Sequence, residues 1–431
     1  MIMKIKFQLI AFLPMLIVFL PLLAGAEGTV IQKGERLNLK RCIETALLYH
    51  PVIQAARSTI RIGESRIGQA RANYYPQVNW QTEYSRTHPA TSRVVEQKTY
   101  NDYRINVGLN QMLYDFGKTK TQVDIQKLNT ESSRQDLSRV ETEIVFGVQQ
   151  AYYSLVQAQK NLEVAIETVS QFQHHLEQAK GFFEAGAKPK FDVTKAEVDL
   201  SNAILNRIRA ENALRITRVN LNNAMGIPDI PEYVIDETLL PETYAIDLPS
   251  ALEKAYAVRP DLQSVKKQVE AAEAAVNLAK KGYYPYLTGN AGYGFGGGDF
   301  PLGEGWNVGA ALNVPVFNGL ETRYSVEEAR ASLDVVKAQE QTLLQQVRLE
   351  VEEAFSNLRE AEERTVAAQM AVRQAEENVE LATGRYDAGV GNPIEVTDAL
   401  VSLSNARTNY IAALTDARIA RAELEKATGL R

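Results

Sequence analysis

The sequence is one unit written twice, and this duplication restricts the possible folds more than any other feature. The segment 37–51 aligns with the segment 246–260 at an offset of 209 residues. Tyr74-Tyr75-Pro76 recurs as Tyr283-Tyr284-Pro285 at the same offset. Self-similarity over this distance predicts two copies of one structural unit within a single chain.

A single length change separates the two copies. From residue 109 onward the offset is 203, so the change amounts to six residues. It lies between Thr87 and Asn101 in the first copy and between Gly296 and Gly305 in the second. Because length changes are tolerated best in exposed loops, both segments are predicted to be loops. The predicted organisation is a first repeat at 27–228, a linker at 229–245 and a second repeat at 246–431.

The N-terminal segment 1–26 has the pattern of a secretion signal. A basic start is followed by an apolar run from Phe7 to Leu23 and by the small-residue cleavage site Ala24-Gly25-Ala26. A retained membrane anchor is the alternative, but Pro14 and Pro21 interrupt the apolar run. The pattern therefore predicts an exported protein.

The remainder of the chain argues against a helical membrane protein, a nucleic-acid-binding protein and a disulfide-stabilised protein. It has no other apolar run of about 18 residues, so no transmembrane helix is predicted. The formal net charge of −6 argues against a nucleic-acid partner. Cys42 is the only cysteine, so the chain cannot form an intramolecular disulfide.

Each copy contains two segments in which apolar and polar residues alternate, which predicts strands with one apolar face. The predicted strands are about 77–86, 103–113, 286–295 and 306–315. The first pair places on one face Val78, Trp80, Thr82, Tyr84, Tyr103, Ile105, Val107 and Leu109. The opposite face of the strands is rich in Gly, Asn, Ser, Thr and Ala, which suits a water-filled lumen.

Very long helices are predicted after each strand pair, at about 117–184 and 319–387. From Ile144 to Phe183, twelve positions spaced alternately four and three residues apart are all apolar residues or Ala, which indicates a coiled coil. Further helices are predicted at about 190–225 and 393–428. A helix of 68 residues spans roughly 100 Å. The helices 51–75 and 190–225 together span roughly 90 Å, so stacked end to end they would match it.

Four strands of about ten residues suit a bilayer span but cannot close into a barrel alone. An open sheet edge in lipid leaves backbone groups unpaired, so closure must come from further copies. Two copies would give eight strands, whose interior fills with side chains. The predicted fold class is therefore an α+β membrane protein: a trimeric 12-strand transmembrane β-barrel on a 12-helix periplasmic α-barrel. The alternative is an exported structural coiled coil or adhesin without a pore.

Three segments of the chain resemble the outer-membrane efflux protein family, the TolC-like outer-membrane factors. They are Gln111–Gly117, Val314–Gly319 and Ala388–Gly389 with Pro393–Ala399. The resemblance extends over about residues 37–430. It implies a homotrimer in the outer membrane with a large periplasmic portion, acting as the exit duct of a tripartite efflux or type I secretion system. The implied partners are outer-membrane lipid, a periplasmic adaptor and an inner-membrane pump of the RND or ABC type. Drugs, metals, polysaccharide and secreted proteins all stay open as cargo.

The far ends of the long helices are predicted to form the periplasmic tips. Gly186 and Gly389 can take the left-handed conformation that ends a helix, and a proline suits the first turn of the next helix. The resemblance implies that these tips dock the adaptor. The residues assigned to this role are Gly186, Ala187, Pro189, Gly389, Val390 and Pro393.

Two acidic residues, Glu395 and Asp398, follow the second tip and share one face of a helix. The resemblance implies that they ring a narrow periplasmic entrance, where a trimer would gather six carboxylates and attract cations. The alternative is an ordinary helix start, where acidic residues are favoured by the helix dipole. In the first repeat Asp192 matches Glu395 but Lys195 matches Asp398, so only one repeat carries the full pair.

The resemblance also implies polar links that hold the entrance closed. Tyr386 and Asp192 match two positions of that network. Gly391 stands where a basic residue is expected, so that link is predicted to be missing or replaced and the entrance less tightly latched.

No enzyme, cofactor or metal site is predicted. His174 and His175 are adjacent and so point in different directions, and the sequence lacks H-E-x-x-H. The glycine-rich segment 294–298 is not followed by a helical pattern, so it is interpreted as an extracellular loop and not as a phosphate site.

Overall fold

The structure is a computed structural model that describes residues 31–88, 99–236 and 246–430. The predicted signal peptide at 1–26 lies outside these residues, as do 89–98 of the first predicted loop and 237–245 of the predicted linker. No helix in the described ranges is long and apolar enough to cross a membrane.

The elements occur in the same order in both halves. The first half contains β1 (Arg36–Leu37), α1 (Leu39–Tyr49), α2 (Pro51–Arg71), β2 (Gln77–Thr87), β3 (Tyr100–Tyr114), α3 (Lys118–Glu184) and α4 (Lys190–Ala224). It is followed by β4 (Val234–Ile235), α5 (Leu248–Val258), α6 (Pro260–Lys280), β5 (Tyr286–Gly297), β6 (Gly303–Asn313), α7 (Glu321–Asp387) and α8 (Pro393–Ala427). The duplicated helix–hairpin–long helix–helix unit predicted from the sequence is therefore present.

Several boundaries differ from the sequence expectation. The strand expected at 103–113 runs from Tyr100 to Tyr114. Strand β5 continues to Gly297, so most of the glycine-rich segment 294–298, which is expected from the sequence to be a loop, is strand. The helix expected at 51–75 ends at Arg71, and a single 3-10 turn, Ala72–Tyr74, leads into the strand. The strand expected at 306–315 begins and ends earlier, as Gly303–Asn313. Helix α7 begins at Glu321 and not at 319, because Leu320 has a left-handed backbone with φ of 70°.

Short helices that the periodicity did not reveal precede α2 and α6. The Asn38 side chain caps α1 by accepting a hydrogen bond from the Arg41 amide at 2.8 Å, and Asp247 caps α5 in the same way. Pro51 and Pro260 start the following helices, since proline suits the first helical position but cannot continue a helix. In each half, a short capped helix and a proline therefore precede α2 or α6.

The two shorter helices of each half are stacked end to end, as their lengths predicted. Gly226, just after α4, lies against the start of α2, where an added Cβ would be 2.7 Å from the His50 Cα. Gly429, just after α8, lies against the start of α6, 3.1 Å from the Arg259 Cα by the same measure. Both glycines have positive φ, near 75°, so each joint needs glycine for conformation and for space.

An arginine spans the second joint. Arg259 donates to Asp261 at 2.6 Å, to Glu350 of α7 at 2.7 Å and to the carbonyl of Ala427 at the end of α8 at 3.2 Å. His50 occupies the matching position in the first half, and its Nδ1 accepts a hydrogen bond from the Val52 amide. The Arg259 side chain thus crosses the second joint, whereas the described contact of His50 stays within the start of α2.

Two apolar cores lie midway along the helices, near these joints. The first surrounds the parallel pair β1–β4 and includes Leu37, Tyr152 and Met225. The second joins α5 and α6 to α7 and α8 through Leu262 and Leu424. These cores hold the middle of the helical part, so the sheet and the tips lie at its opposite ends.

Candidate functional site

One face of the four-stranded sheet is apolar across all of its strands. The strand order is β2-β3-β5-β6 and every pairing is antiparallel. The register aligns Trp80 with Val107, Val107 with Tyr293, and Tyr293 with Trp306. Because side chains alternate between faces along a strand, this register places the predicted apolar residues of both hairpins on one side.

The opposite face carries small and polar residues. The neighbouring row aligns Asn79 with Gly108, Gly292 and Asn307. Space is limited on this face at Gly294, where a Cβ would approach the Ile105 carbonyl oxygen to 2.6 Å. The two faces thus differ in the manner expected for a sheet with apolar surroundings on one side and water on the other.

The apolar face is exposed and is bordered by aromatic rings at both ends. Trp80 and Trp306 are 73% and 77% exposed. At the end of the sheet away from the helices, the rings of Tyr84 and Tyr103 lie 4.9 Å apart. Nearer the helices there is a second group, which comprises Tyr74, Tyr75, Tyr114, Phe116, Tyr283, Tyr284 and Phe317. Soluble proteins rarely expose so large an apolar patch, and two aromatic bands are typical of strands that span a bilayer.

The sheet has two open edges. In the described residues β2 pairs only with β3, and β6 pairs only with β5. Each outer strand therefore presents a row of backbone N–H and C=O groups that another strand could pair with. Both edges of the sheet are therefore open to pairing in the described part of the chain.

At the other end of the molecule, each long helix ends in a tight turn. Gly186 and Gly389 have φ of 70° and 75°, as expected for left-handed helix ends. Ala187 and Val390 donate their amide hydrogens back to carbonyls of the last helical turn. Asn392 caps α8 by accepting a hydrogen bond from the Ile394 amide at 3.0 Å.

The residues predicted to dock an adaptor differ in accessibility. Gly186, Ala187, Pro189, Gly389 and Val390 are exposed, and Val390 is 71% exposed. Pro393 is buried in the first turn of α8. Five of the six predicted tip residues therefore lie on the surface, while the sixth supports the turn from within.

The acidic pair after the second tip is on the surface, but one member has a counter-ion. Glu395 and Asp398 are both exposed. Arg385, in the last turn of α7, places its Nε 3.2 Å from a Glu395 carboxylate oxygen. Sequence reasoning missed Arg385, whose first-repeat equivalent is Phe182.

Tyr386 is completely buried between the two tips. It contacts Phe182 edge-on at 5.5 Å and belongs to a cluster with Phe172, Val396 and Leu400. Its hydroxyl has no hydrogen-bond partner among the described residues. Burial raises the pKa of the Tyr386 phenol, with nearby Asp192 adding to the effect. Tyr386 and Asp192 are thus brought close together, without a hydrogen bond between them.

A basic residue of the other tip contacts Gly391. Lys188, the first-repeat equivalent of Gly391, donates to the Gly391 carbonyl at 3.2 Å. Its ammonium also lies 4.9 Å from the centre of the Tyr386 ring. A side chain on Gly391 would have no room, since a Cβ there would be 2.7 Å from the Tyr386 amide nitrogen.

A second polar contact joins the two tips. The Thr397 hydroxyl on α8 donates to Asp199 on α4 at 2.9 Å in a buried position. Asp199 is also paired with Lys195, whose ammonium is 2.6 Å from both carboxylate oxygens. Lys195 therefore forms an ion pair with Asp199. The sequence analysis did not identify Asp199 or Thr397 as contact residues.

A buried histidine lies in the same interface. His175 is 3% exposed and its ring centre is 5.3 Å from that of Tyr386. Its Nδ1 has no hydrogen-bond partner in the described part of the chain. Burial lowers the pKa of His175, against the opposing effect of Asp199 and Asp192. The described residues contain no cluster of three or more potential metal ligands.

The chain combines long helices, a sheet that is long enough to span a bilayer and apolar on one face, and two tips in contact with each other. These features are typical of a class of envelope protein. Comparison with known proteins identifies it: the sequence matches the family described as outer membrane efflux protein over residues 42–227 and 251–430. The chain belongs to the outer membrane efflux protein family.

Individual relatives are distant but cover nearly the whole chain. Outer membrane efflux protein BepC of Brucella suis is 23% identical over 421 residues, covering 94% of this chain and 88% of BepC. Outer membrane protein TolC of Vibrio cholerae is 23% identical over 418 residues, covering 93% and 94%. The structure of the outer-membrane channel OprN aligns with a TM-score of 0.78 at 18% identity, covering 91% of this chain and 89% of OprN.

These comparisons confirm the family resemblance, the outer-membrane location and the fold of the single chain predicted from the sequence. The trimer and the closed barrels remain predictions. The relatives are efflux proteins and channels and not enzymes.

Proposed function

We propose that three copies of this chain form an exit duct through the outer membrane, which passes substrates delivered by an inner-membrane pump and a periplasmic adaptor. The observation that carries the proposal is the four-stranded sheet, apolar on one face and open at both edges. Unpaired backbone groups in lipid cost several kcal/mol each, so the edges must be paired. Three sheets would close into twelve strands, enough to leave a polar lumen inside.

Relatives support the duct over the structural alternative. One is named probable efflux pump outer membrane protein TtgC, from Pseudomonas putida, and OprN is described as an outer-membrane channel. A coiled-coil rod or adhesin would account for the long helices but not for the exposed tryptophans of the sheet. We assign adaptor docking to the exposed tip residues Gly186, Ala187, Pro189, Gly389 and Val390, with Pro393 supporting the second turn.

The periplasmic entrance of the duct lies at the tips and is expected to be closed but less tightly latched than the resemblance implies. Within each chain it is held by the contacts of Lys188 with Gly391 and of Thr397 with Asp199. Three chains would place six carboxylates from Glu395 and Asp398 around it. Arg385 would offset half of that charge, so the entrance favours cations less strongly than the carboxylates alone would.

The test is single-channel conductance of detergent-purified protein in planar bilayers. We expect small cation-selective steps for the wild type and larger steps for Glu395→Ala/Asp398→Ala. The matched control is Glu353→Ala/Glu363→Ala, which removes two exposed carboxylates from the middle of α7. Conductance steps of equal size in all three proteins would support the duct but show that Glu395 and Asp398 do not form its gate. Folded protein that gives no steps would refute the duct and favour the structural rod.

A further inference from the structure

A band of basic side chains lies where the helices meet the sheet. The four segments at this junction are 71–76, 115–123, 279–285 and 316–324. Together they contain six Lys or Arg residues and two Asp or Glu residues. The whole chain has the opposite balance, with 47 basic and 53 acidic residues. The sign of the charge is therefore reversed locally, beside the sheet.

Contacts between these segments place them at one level. Lys281 donates to the Gly117 carbonyl at 2.8 Å and to the Thr121 hydroxyl at 2.6 Å, which joins the end of α6 to the start of α3. The Gln111 side chain donates to the Tyr74 carbonyl at 3.2 Å, which joins β3 to the turn after α2. The ends of α2 and α6 and the start of α3 thus form one ring of surface beneath the sheet.

Four of the basic side chains make no polar contact with other described residues. Arg71, Lys118, Lys120 and Lys280 are exposed, and none makes a side-chain hydrogen bond or ion pair with another described residue. Lys281, in contrast, is used to hold the junction together. Arg323 is paired with Glu327 at 3.1 Å. We call the four unpaired residues the basic collar.

The neighbours of the collar identify its environment. Tyr75 and Tyr114 are 65% and 57% exposed, and Phe317 is 80% exposed. Aromatic side chains prefer the boundary between acyl chains and headgroups. Basic side chains just outside such a boundary attract anionic headgroups. The collar lies on the helical side of this aromatic band, which is where lipid headgroups would lie if the sheet spans a bilayer.

We propose that the basic collar binds anionic phospholipid headgroups of the membrane leaflet that faces the helices. This rests on the proposed function only in so far as the sheet must lie in a bilayer. Each basic side chain near an anionic surface increases binding about fivefold, and salt weakens the effect. The ligand is a lipid headgroup and not free phosphate, because the collar residues lie in the same short segments as the exposed aromatic side chains of the junction.

The experiment compares insertion of the purified full-length protein into vesicles of phosphatidylethanolamine alone and into vesicles that also contain phosphatidylglycerol. Inserted protein is measured by flotation after a carbonate wash. The variant is Arg71→Gln/Lys118→Gln/Lys120→Gln/Lys280→Gln. The matched control, Lys180→Gln/Lys254→Gln/Lys266→Gln/Arg373→Gln, makes the same charge change at exposed residues away from the sheet.

We expect the wild type and the control to prefer the anionic vesicles, and the collar variant to lose that preference by about tenfold or more. A wild type without preference, or a collar variant that keeps it, overturns the proposal while the duct stands. If inorganic phosphate abolishes the preference for anionic vesicles and chloride of equal ionic strength does not, the collar binds free phosphate. That result would also overturn the proposal. Wild-type protein that inserts into neither vesicle refutes the duct as well.

Discussion

The contact between Asp199 and Thr397 offers a sharp test of how the tips are held together. Asp199 is 8% exposed and accepts from both Lys195 and Thr397. Asp199→Asn would leave the Lys195 ammonium unpaired and would replace a charged acceptor with a neutral one. Hydrogen bonds to charged groups are each worth about 1.5–3 kcal/mol.

The expected cost is reduced by solvent. The Lys195 side chain is 30% exposed, so water can take over part of its pairing. We therefore expect Asp199→Asn to weaken the contact between the tips by about 2 kcal/mol. This corresponds to roughly thirtyfold faster local opening.

The assay is amide hydrogen exchange of the tip segments 185–200 and 385–400, because exchange measures local opening directly. The control is Glu143→Gln, which breaks an exposed ion pair with Arg139 of the same four-residue spacing on α3. Exposed pairs of this kind contribute about 0.3–0.5 kcal/mol, so tip exchange should be unchanged in the control. Equal exchange at the tips in Asp199→Asn and the control would refute the clasp at this position.

Three further substitutions test other parts of the structure. Gly226→Ala forces a side chain into a left-handed backbone and against His50, so the midpoint of thermal unfolding should fall further than in Gly186→Ala, which has the same backbone but open space. Because burial lowers the pKa of His175, the folded tips resist its protonation; their stability is complete above its unfolded pKa and falls as the pH drops through about 6.5. His175→Gln should remove that acid-dependent increase in tip exchange, and an unchanged pH profile would contradict it. Lys188→Met should speed exchange of the second tip about fivefold, from the loss of about 1 kcal/mol, and unchanged exchange would show that Lys188 holds nothing.

The architecture could be read from the sequence because it depends on periodicity. Alternation along four strands determined which residues share the apolar face, and the observed pairing of Trp80 with Val107 is consistent with it. The heptads predicted the long helices, and their lengths predicted the stacking that Gly226 and Gly429 allow. Regular patterns of this kind can be detected in a single sequence because each helical turn and each pair of strand residues repeats them.

The contacts between the tips could not be read in this way. Lys188 and Gly391 are 203 residues apart, and Asp199 and Thr397 are 198 apart. Helical periodicity states which face a side chain occupies, but it does not specify which distant side chain faces it. One signal was present: Lys188 stands opposite Gly391 when the two repeats are aligned, so the basic residue absent from one repeat occurs in the other. Departures between repeats therefore mark the places where the two halves act differently.

The joints between stacked helices have a mechanical consequence. A column built from two abutting helices bends most easily where no backbone ladder crosses, and each half pairs such a column with an unbroken helix of 67 residues. Arg259 ties the second joint to the end of α8, whereas His50 at the first joint bonds within its own helix. We therefore expect the second joint to resist bending through the Arg259 contacts, which His50 does not make at the first joint.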